Sequence, residues 1–138
     1  MKDIFEEMRS VSYPIAPPRR RRKKPEAKVQ KQIVAWLVEH GVAVAITDAG
    51  LLNKVGLGMS CGIPTGWPDI TGCLPQCGRF IGVECKSAKG RQTEAQLHTQ
   101  VRIERNGGLY ILAHSVDELI EALQREEKLR NPTGICLD

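Results

Sequence analysis

Pro68 to Lys86 reads PDITGCLPQCGRFIGVECK, and its alternation decides the fold. Phe80, Ile81, Gly82, Val83, Glu84, Cys85 and Lys86 are rich in β-branched and aromatic types, which favour a strand. Successive strand residues face opposite sides, so Glu84 and Lys86 share one face while Ile81, Val83 and Cys85 share the other. Pro68 suits the first position of an earlier strand, where its missing donor is tolerated, and Asp69 to Leu74 continue it. Pro75, Gln76, Cys77 and Gly78 then form a turn. Such a hairpin brings Asp69 beside Glu84 and Lys86 at one end of the sheet. Two carboxylates and a lysine in that arrangement can hold a divalent ion against a phosphodiester, because Mg²⁺ needs only one or two carboxylates beside water and phosphate oxygens. An acid and a lysine two apart on a strand also describe an ordinary solvated pair, so the weight rests on the combination.

Working outward, Pro25 fits the first turn of a helix in which Val29, Ile33, Trp36 and Leu37 recur on one stripe. Glu26 lies three residues before Val29 and shares that stripe. It either complements the helix dipole or adds a third acid to the metal site. Gly41 ends the helix, and Val42 to Ile46 is an apolar run that reads as a buried strand. Residues 47–67 form a long glycine-rich loop, and Asn53 and Lys54 in it are candidates for touching substrate. Beyond the hairpin, Lys89, Gly90 and Arg91 make a basic turn, and Thr93 followed by Gln96 is a capping box that opens a second helix. Gln96 has two readings, cap partner or a side chain aimed at the metal site, and both hold only if its amide is shared. Gly107 and Gly108 stop that helix, Leu109 to Ala113 is a strand, and Val116 to Lys128 a last helix with Leu119, Ile120 and Leu123 inward. The order is αβββαβα, an α/β fold.

At 138 residues with 41% hydrophobic content, the chain has the size and composition of one globular domain. Arg19, Arg20, Arg21, Arg22, Lys23 and Lys24 are an unbroken basic run in a chain of net charge +4, so the remainder is slightly acidic. With Pro14, Pro17, Pro18 and Pro25 around it, residues 1–24 read as an extended arm suited to a phosphate backbone, or as a solvated linker or a targeting signal read by another protein. The folded body then spans 25–128, and 129–138 is a tail. No apolar stretch approaches the roughly 20 residues that span a bilayer, and Met1 to Arg9 lacks a signal-peptide core, which points to a cytoplasmic location without membrane contact. Cys61, Cys73, Cys77, Cys85 and Cys136 are odd in number and irregular in spacing, unlike a secreted disulfide framework, and no second pair completes a zinc finger around Cys73 and Cys77. His40, His98 and His114 are scattered and are assigned no chemistry. There is no Gly-rich loop ending in Lys-Ser/Thr and no Gly-x-Ser-x-Gly elbow, so neither a nucleotide cofactor nor serine hydrolysis is indicated.

Gly66-Trp67-Pro68-Asp69-Ile70, Gly82-Val83-Glu84-Cys85-Lys86-Ser87, Gly90-Arg91-Gln92-Thr93-Glu94-Ala95-Gln96 and Asn106-Gly107-Gly108 together resemble the VRR-NUC branch of the PD-(D/E)XK nuclease superfamily, in its stand-alone phage or bacterial form. The resemblance runs from about Glu26 to about Leu123 and implies a restriction-endonuclease-like core, a central mixed sheet flanked by helices. It implies metal ligation by Asp69, Glu84, the main-chain carbonyl of Cys85 and the first-helix acid Glu26. Lys86 would face the phosphate and help position water, and Gln96 matches the family's glutamine. It further implies Mg²⁺, with Mn²⁺ as substitute, and a structure-specific endonuclease, a homodimer acting on branched DNA such as Holliday junctions in a bacterial or phage-infected cytoplasm. Arg19 to Lys24, Asn53, Lys54, Lys89 and Arg91 are the candidate DNA contacts. Two alternatives stay open: a restriction-type enzyme that reads base sequence, against which no recognition-sized insertion is seen, and a non-catalytic nucleic-acid-binding module, against which all of Asp69, Glu84 and Lys86 are present.

Deleting residues 1–24 is expected to weaken DNA binding and flatten its salt dependence, since the log–log slope falls by about 0.9 for each neutralised phosphate. Binding isotherms across a salt series measure this, and an unchanged slope would make the arm a linker.

Overall fold

The computed structural model describes residues 24–47 and 63–130. Seven elements follow in the order α1 (Lys24–Glu39), β1 (Ala43–Ile46), β2 (Ile70–Cys73), β3 (Phe80–Cys85), α2 (Glu94–Arg105), β4 (Leu109–Ala113) and α3 (Val116–Arg130). This is the αβββαβα order expected from the sequence, and the chain is α/β with a four-stranded mixed sheet. The strands lie in sequence order, β1-β2-β3-β4. The first two pairings are antiparallel and β3 with β4 is parallel, so α2 is the crossover that a parallel pair requires.

Register follows the hairpin reading. Ile70 pairs with Val83 and Cys73 with Phe80, which leaves Asp69, one step before β2, level with Glu84. The turn at Pro75, Gln76 and Cys77 is tight enough to put Gln76 at φ 68°.

Alternation sends the two faces of β3 to different layers. Ile81, Val83 and Cys85 join Leu109, Ile111 and Ala113 of β4 in a buried core closed by Ile33 and Leu37 of α1 and Leu119 of α3. Cys85 is buried inside this core, where it behaves as a small apolar residue. Ile33, Leu37, Val83, Ala113 and Leu119 are all 0% exposed, which identifies this layer as the mechanical centre of the domain. Helix α2 lies against β4, and its Gln96 reaches Glu84 on the other face of β3. That helix stops as the sequence indicates: Gly107, at φ +82°, donates to Glu104 O and Gly108 donates to Ile103 O, the paired bonds of a Schellman motif.

One expectation is corrected. Val42 to Ile46 reads as a buried strand, yet β1 is the sheet edge, paired on one side only, and Ala43, Ala45 and Ile46 are exposed. Val42 alone is buried, just before the strand begins. The run is apolar because of its residue types, and an edge position needs no second buried face. Asn53, Lys54, Cys61, Cys136 and the basic run Arg19 to Lys23 lie outside the described residues, while Lys24 opens α1.

Gly66 joins the loop before β2 to α2. Its φ is +82°, and a Cβ there would stand 2.4 Å from both the carbonyl carbon and oxygen of Ala95 and 2.9 Å from the amide nitrogen of Gln96. Helix backbone cannot give way as a flexible side chain would. Gly66→Ala is therefore expected to cost more than the roughly 1–3 kcal/mol of a left-handed non-glycine residue. Gly41→Ala serves as comparison, since Gly41 has φ +76° but nothing within 4 Å of its Cβ position. Urea melts of the two variants measure the difference, and equal losses would rule out the backbone collision.

Candidate active site

The site is assembled where β2 begins and β3 ends. Asp69 and Glu84 are both 0% exposed. The Asp69 backbone is held from the edge strand: Thr47 donates its N–H to the Asp69 carbonyl at 2.8 Å and its hydroxyl to the Pro68 carbonyl at 2.8 Å. The carboxylate of Asp69 crosses to β3, where Oδ2 accepts the Cys85 N–H at 2.9 Å. An N–H and C=O of one residue leave an extended strand on the same side. The Cys85 carbonyl therefore lies on the Asp69 side of β3, while its thiol points into the core.

Glu84 is held by two donors at one oxygen. Its Oε1 accepts from Gln96 Nε2 at 2.6 Å and from Lys86 Nζ at 3.0 Å. Lys86 is itself 14% exposed at the side chain, so the pair sits at the boundary between interior and solvent. The alternation of β3 puts both residues on one face, as its sequence requires.

Gln96 uses the two ends of its amide separately. Its Oε1 accepts the Thr93 N–H at 2.8 Å while its backbone N–H donates to Thr93 Oγ1 at 3.3 Å, a complete capping box at the start of α2. The other end of the same amide, Nε2, donates to Glu84. Helix cap and Glu84 carboxylate are thereby joined through one side chain.

Glu26 comes to the edge of this group from α1. Its Oε1 is 3.5 Å from the backbone nitrogen of Ser87, so it faces inward and meets the chain just past Lys86. Among the described residues no group of three His, Cys, Asp or Glu side chains is placed to hold a metal ion together, so Glu26 stands beside the Asp69–Glu84 pair and not in one ligand cluster with it. Lys89 and Arg91 are exposed on the turn that follows Lys86. Cys73 and Cys77 are both exposed. His114, assigned no chemistry from sequence, stands at the end of β4 with its ring between Glu118 and the carbonyl of Gly90 in that same turn. No local motif marks it, because its partners are 4 and 24 residues away.

The donor set fits a hard divalent cation. Two carboxylates are buried side by side, and Lys86 contacts one of them, Glu84, at the edge of solvent. Mg²⁺ takes one or two carboxylates and completes its shell with water and phosphate oxygens, so a two-carboxylate site suffices.

No family model matches this sequence and no curated protein is significantly similar to it. Among solved structures, a VRR-NUC domain matches with a TM-score of 0.54 and 25% identity, over 72% of this chain and 97% of that one.

Gln96→Glu tests the shared amide. The substituted carboxylate retains an acceptor for Thr93 N–H but sets a second anion against Glu84, so one of the two must take up a proton on folding. A carboxyl whose folded pKa is raised loses stability as pH rises through that value. The variant is expected to be destabilised by roughly 3 kcal/mol at pH 8, with the gap from wild type closing toward pH 5. Denaturant melts at both pH values measure it, and a pH-independent gap would sever the link to Glu84.

Proposed function

We propose that this chain, which its structural likeness assigns to the VRR-NUC family of PD-(D/E)XK nucleases, is a metal-dependent endonuclease that hydrolyses phosphodiester bonds of branched DNA. One observation carries the reading: Asp69 and Glu84 lie side by side, fully buried, at the end of a mixed sheet with Lys86 on Glu84. A solvated pair, the alternative reading of Glu84 and Lys86, would not be withdrawn from water in this way.

The roles follow from position. Asp69, Glu84 and the Cys85 carbonyl would hold Mg²⁺ or Mn²⁺, with Glu26 acting from the rim through the Ser87 backbone. When bound, such an ion supplies charge neutralisation on the phosphate and a water of lowered pKa. Gln96 keeps the Glu84 carboxylate from rotating by occupying Oε1. Lys86 brings a positive charge to the mouth of the site, where a phosphate oxygen can exchange for its contact with Glu84 and where the attacking water is oriented. Preorganised charges of this kind act on the transition state without reorganising first. Lys89 and Arg91, exposed on the adjoining turn, extend the positive surface along a backbone, and the basic run Arg19 to Lys24 adds contacts that ignore base sequence. A homodimer would present two such sites with opposite polarity, which suits paired cuts across a junction.

Full-length protein incubated with a four-way junction, nicked and linear DNA and Mg²⁺ or Mn²⁺ is expected to cut the junction on opposing strands. Asp69→Asn and Glu84→Gln, which preserve shape and remove one charge each, are expected to abolish cleavage while retaining DNA affinity, because backbone contact and hydrolysis use different residues. Cleavage at wild-type rates by either variant would overturn the site. Preferential cutting of one linear sequence would point instead to a restriction-type enzyme.

A further inference from the structure

His114 directly follows β4 and lies between two acceptors. Its Nδ1 is 2.9 Å from Glu118 Oε2 and its Nε2 is 3.0 Å from the carbonyl oxygen of Gly90. Its backbone N–H donates to the same Glu118 oxygen at 3.0 Å. A neutral imidazole carries a proton on one ring nitrogen only, whereas the imidazolium donates from both. The geometry selects the charged ring. Accordingly the His114 pKa is raised above 6.5, first by the Gly90 carbonyl, then by the Glu118 hydrogen bond; burial opposes them, the Glu118 charge adds a lesser upward push, and the Lys86 charge opposes least. The Glu118 carboxyl is held low by the same contacts, the His114 backbone N–H foremost.

Gly90 connects this contact to the lysine. It closes a turn by donating to Ser87 O at 2.7 Å, and a Cβ at Gly90 would stand 3.0 Å from Lys86 Cβ and 3.3 Å from its Cδ. The turn thus packs along the aliphatic stem of Lys86. The Lys86 backbone is fixed by the residue next to the histidine, donating its N–H to Ala113 O at 3.0 Å. Residues 113 and 114 grip the chain on both sides of the Lys86 stem.

We infer that His114 is a positioning residue: donating from both ring nitrogens, it straps the Ser87–Gly90 turn to α3 and so holds the Lys86 stem in line with Glu84. This rests on the reading of Lys86 as the lysine that faces the phosphate. The charged groups around the ring are Glu118 from α3 and Lys86 from the end of β3, with Lys89 and Arg91 exposed on either side of Gly90 in sequence. Below the ordinary histidine value of about 6.5 the ring is charged in folded and unfolded chains alike, and the strap is complete. As pH rises through the elevated folded value, one ring proton leaves. The proton retained is the one on Nδ1, since a hydrogen bond to a carboxylate is about twice as strong as one between neutral groups. The bond to Gly90 is the one released.

Full-length protein labelled with ¹⁵N, titrated between pH 5 and 9, is expected to show the Gly90 and Ser87 amides and the His114 ring moving with one shared midpoint above 6.5. Glu118→Gln removes a charge from a half-exposed side chain and should lower that midpoint; His114→Ala should erase the step from both amides. In single-turnover cleavage of a junction, His114→Ala is expected to lower kcat roughly tenfold, the loss of about one charge-assisted hydrogen bond, with KM within about twofold. Amides that ignore the His114 midpoint, or wild-type kcat in His114→Ala, would overturn the strap. A wild type that cuts no DNA would remove the nuclease reading, and the amide titration would still decide whether His114 holds the turn.

Discussion

Two carboxylates withdrawn from water next to each other are the constraint on which the remaining structure depends. Burying a single ion costs several kcal/mol even after relaxation, and two like charges together cost more. Asp69 and Glu84 accept from donors in two parts of the chain, the end of β3 and the first turn of α2. The Cys85 amide comes from the same strand as Glu84, the Gln96 amide from the crossover helix, and the Lys86 ammonium from the strand end. Each donor requires its own element to be in register. The β2–β3 pairing must be correct for Asp69 to reach Cys85, and α2 must be seated for Gln96 to reach Glu84. The buried pair therefore acts as a check on the fold.

That dependence explains several local choices. The parallel pairing of β3 and β4 demands a crossover, and using α2 for it brings a helix N-terminus to the carboxylate end of β3. Gln96 then satisfies an orphan amide at that N-terminus with one end of its side chain and Glu84 with the other. Gly66 permits the loop ahead of Asp69 to lie directly on the same first turn, where any side chain would meet the backbone of Ala95. Ser87, Gly90 and His114 extend the arrangement outward from Lys86 to α3. The apolar face of the same sheet is filled by Ile81, Val83 and Cys85 against Ile33, Leu37 and Leu119, which anchors the strand whose other face carries the acid.

Much of this is legible from residue order because it rests on short-range periodicities. A period of two separates Glu84 and Lys86 from Cys85, a three-residue spacing marks Thr93 and Gln96 as a capping box, and paired glycines mark the end of α2. Burial is less legible, as β1 shows: an apolar pentapeptide describes what a strand can bury, whereas its place at the sheet edge is set by which other strands compete to pair with it. Glu26 was visible as an inward acid, but its seat beside Ser87 depends on how α1 crosses the end of β3. His114 carried no signal at all, since neither Gly90 nor Glu118 is near enough in a recognisable pattern to announce an imidazolium between them.

The sequence by itself determined the order of elements, the face on which each charged residue stands, and the identity of the acids and lysine, since backbone stereochemistry makes these functions of local spacing. Tertiary structure alone decided that Asp69 and Glu84 are fully desolvated, that one amide of Gln96 serves both a helix cap and a carboxylate, and that the turn after Lys86 is tied to α3. Desolvation and shared hydrogen bonds depend on what the rest of the chain brings to a point in space. That is a sum over distant contacts, and no window of sequence contains it.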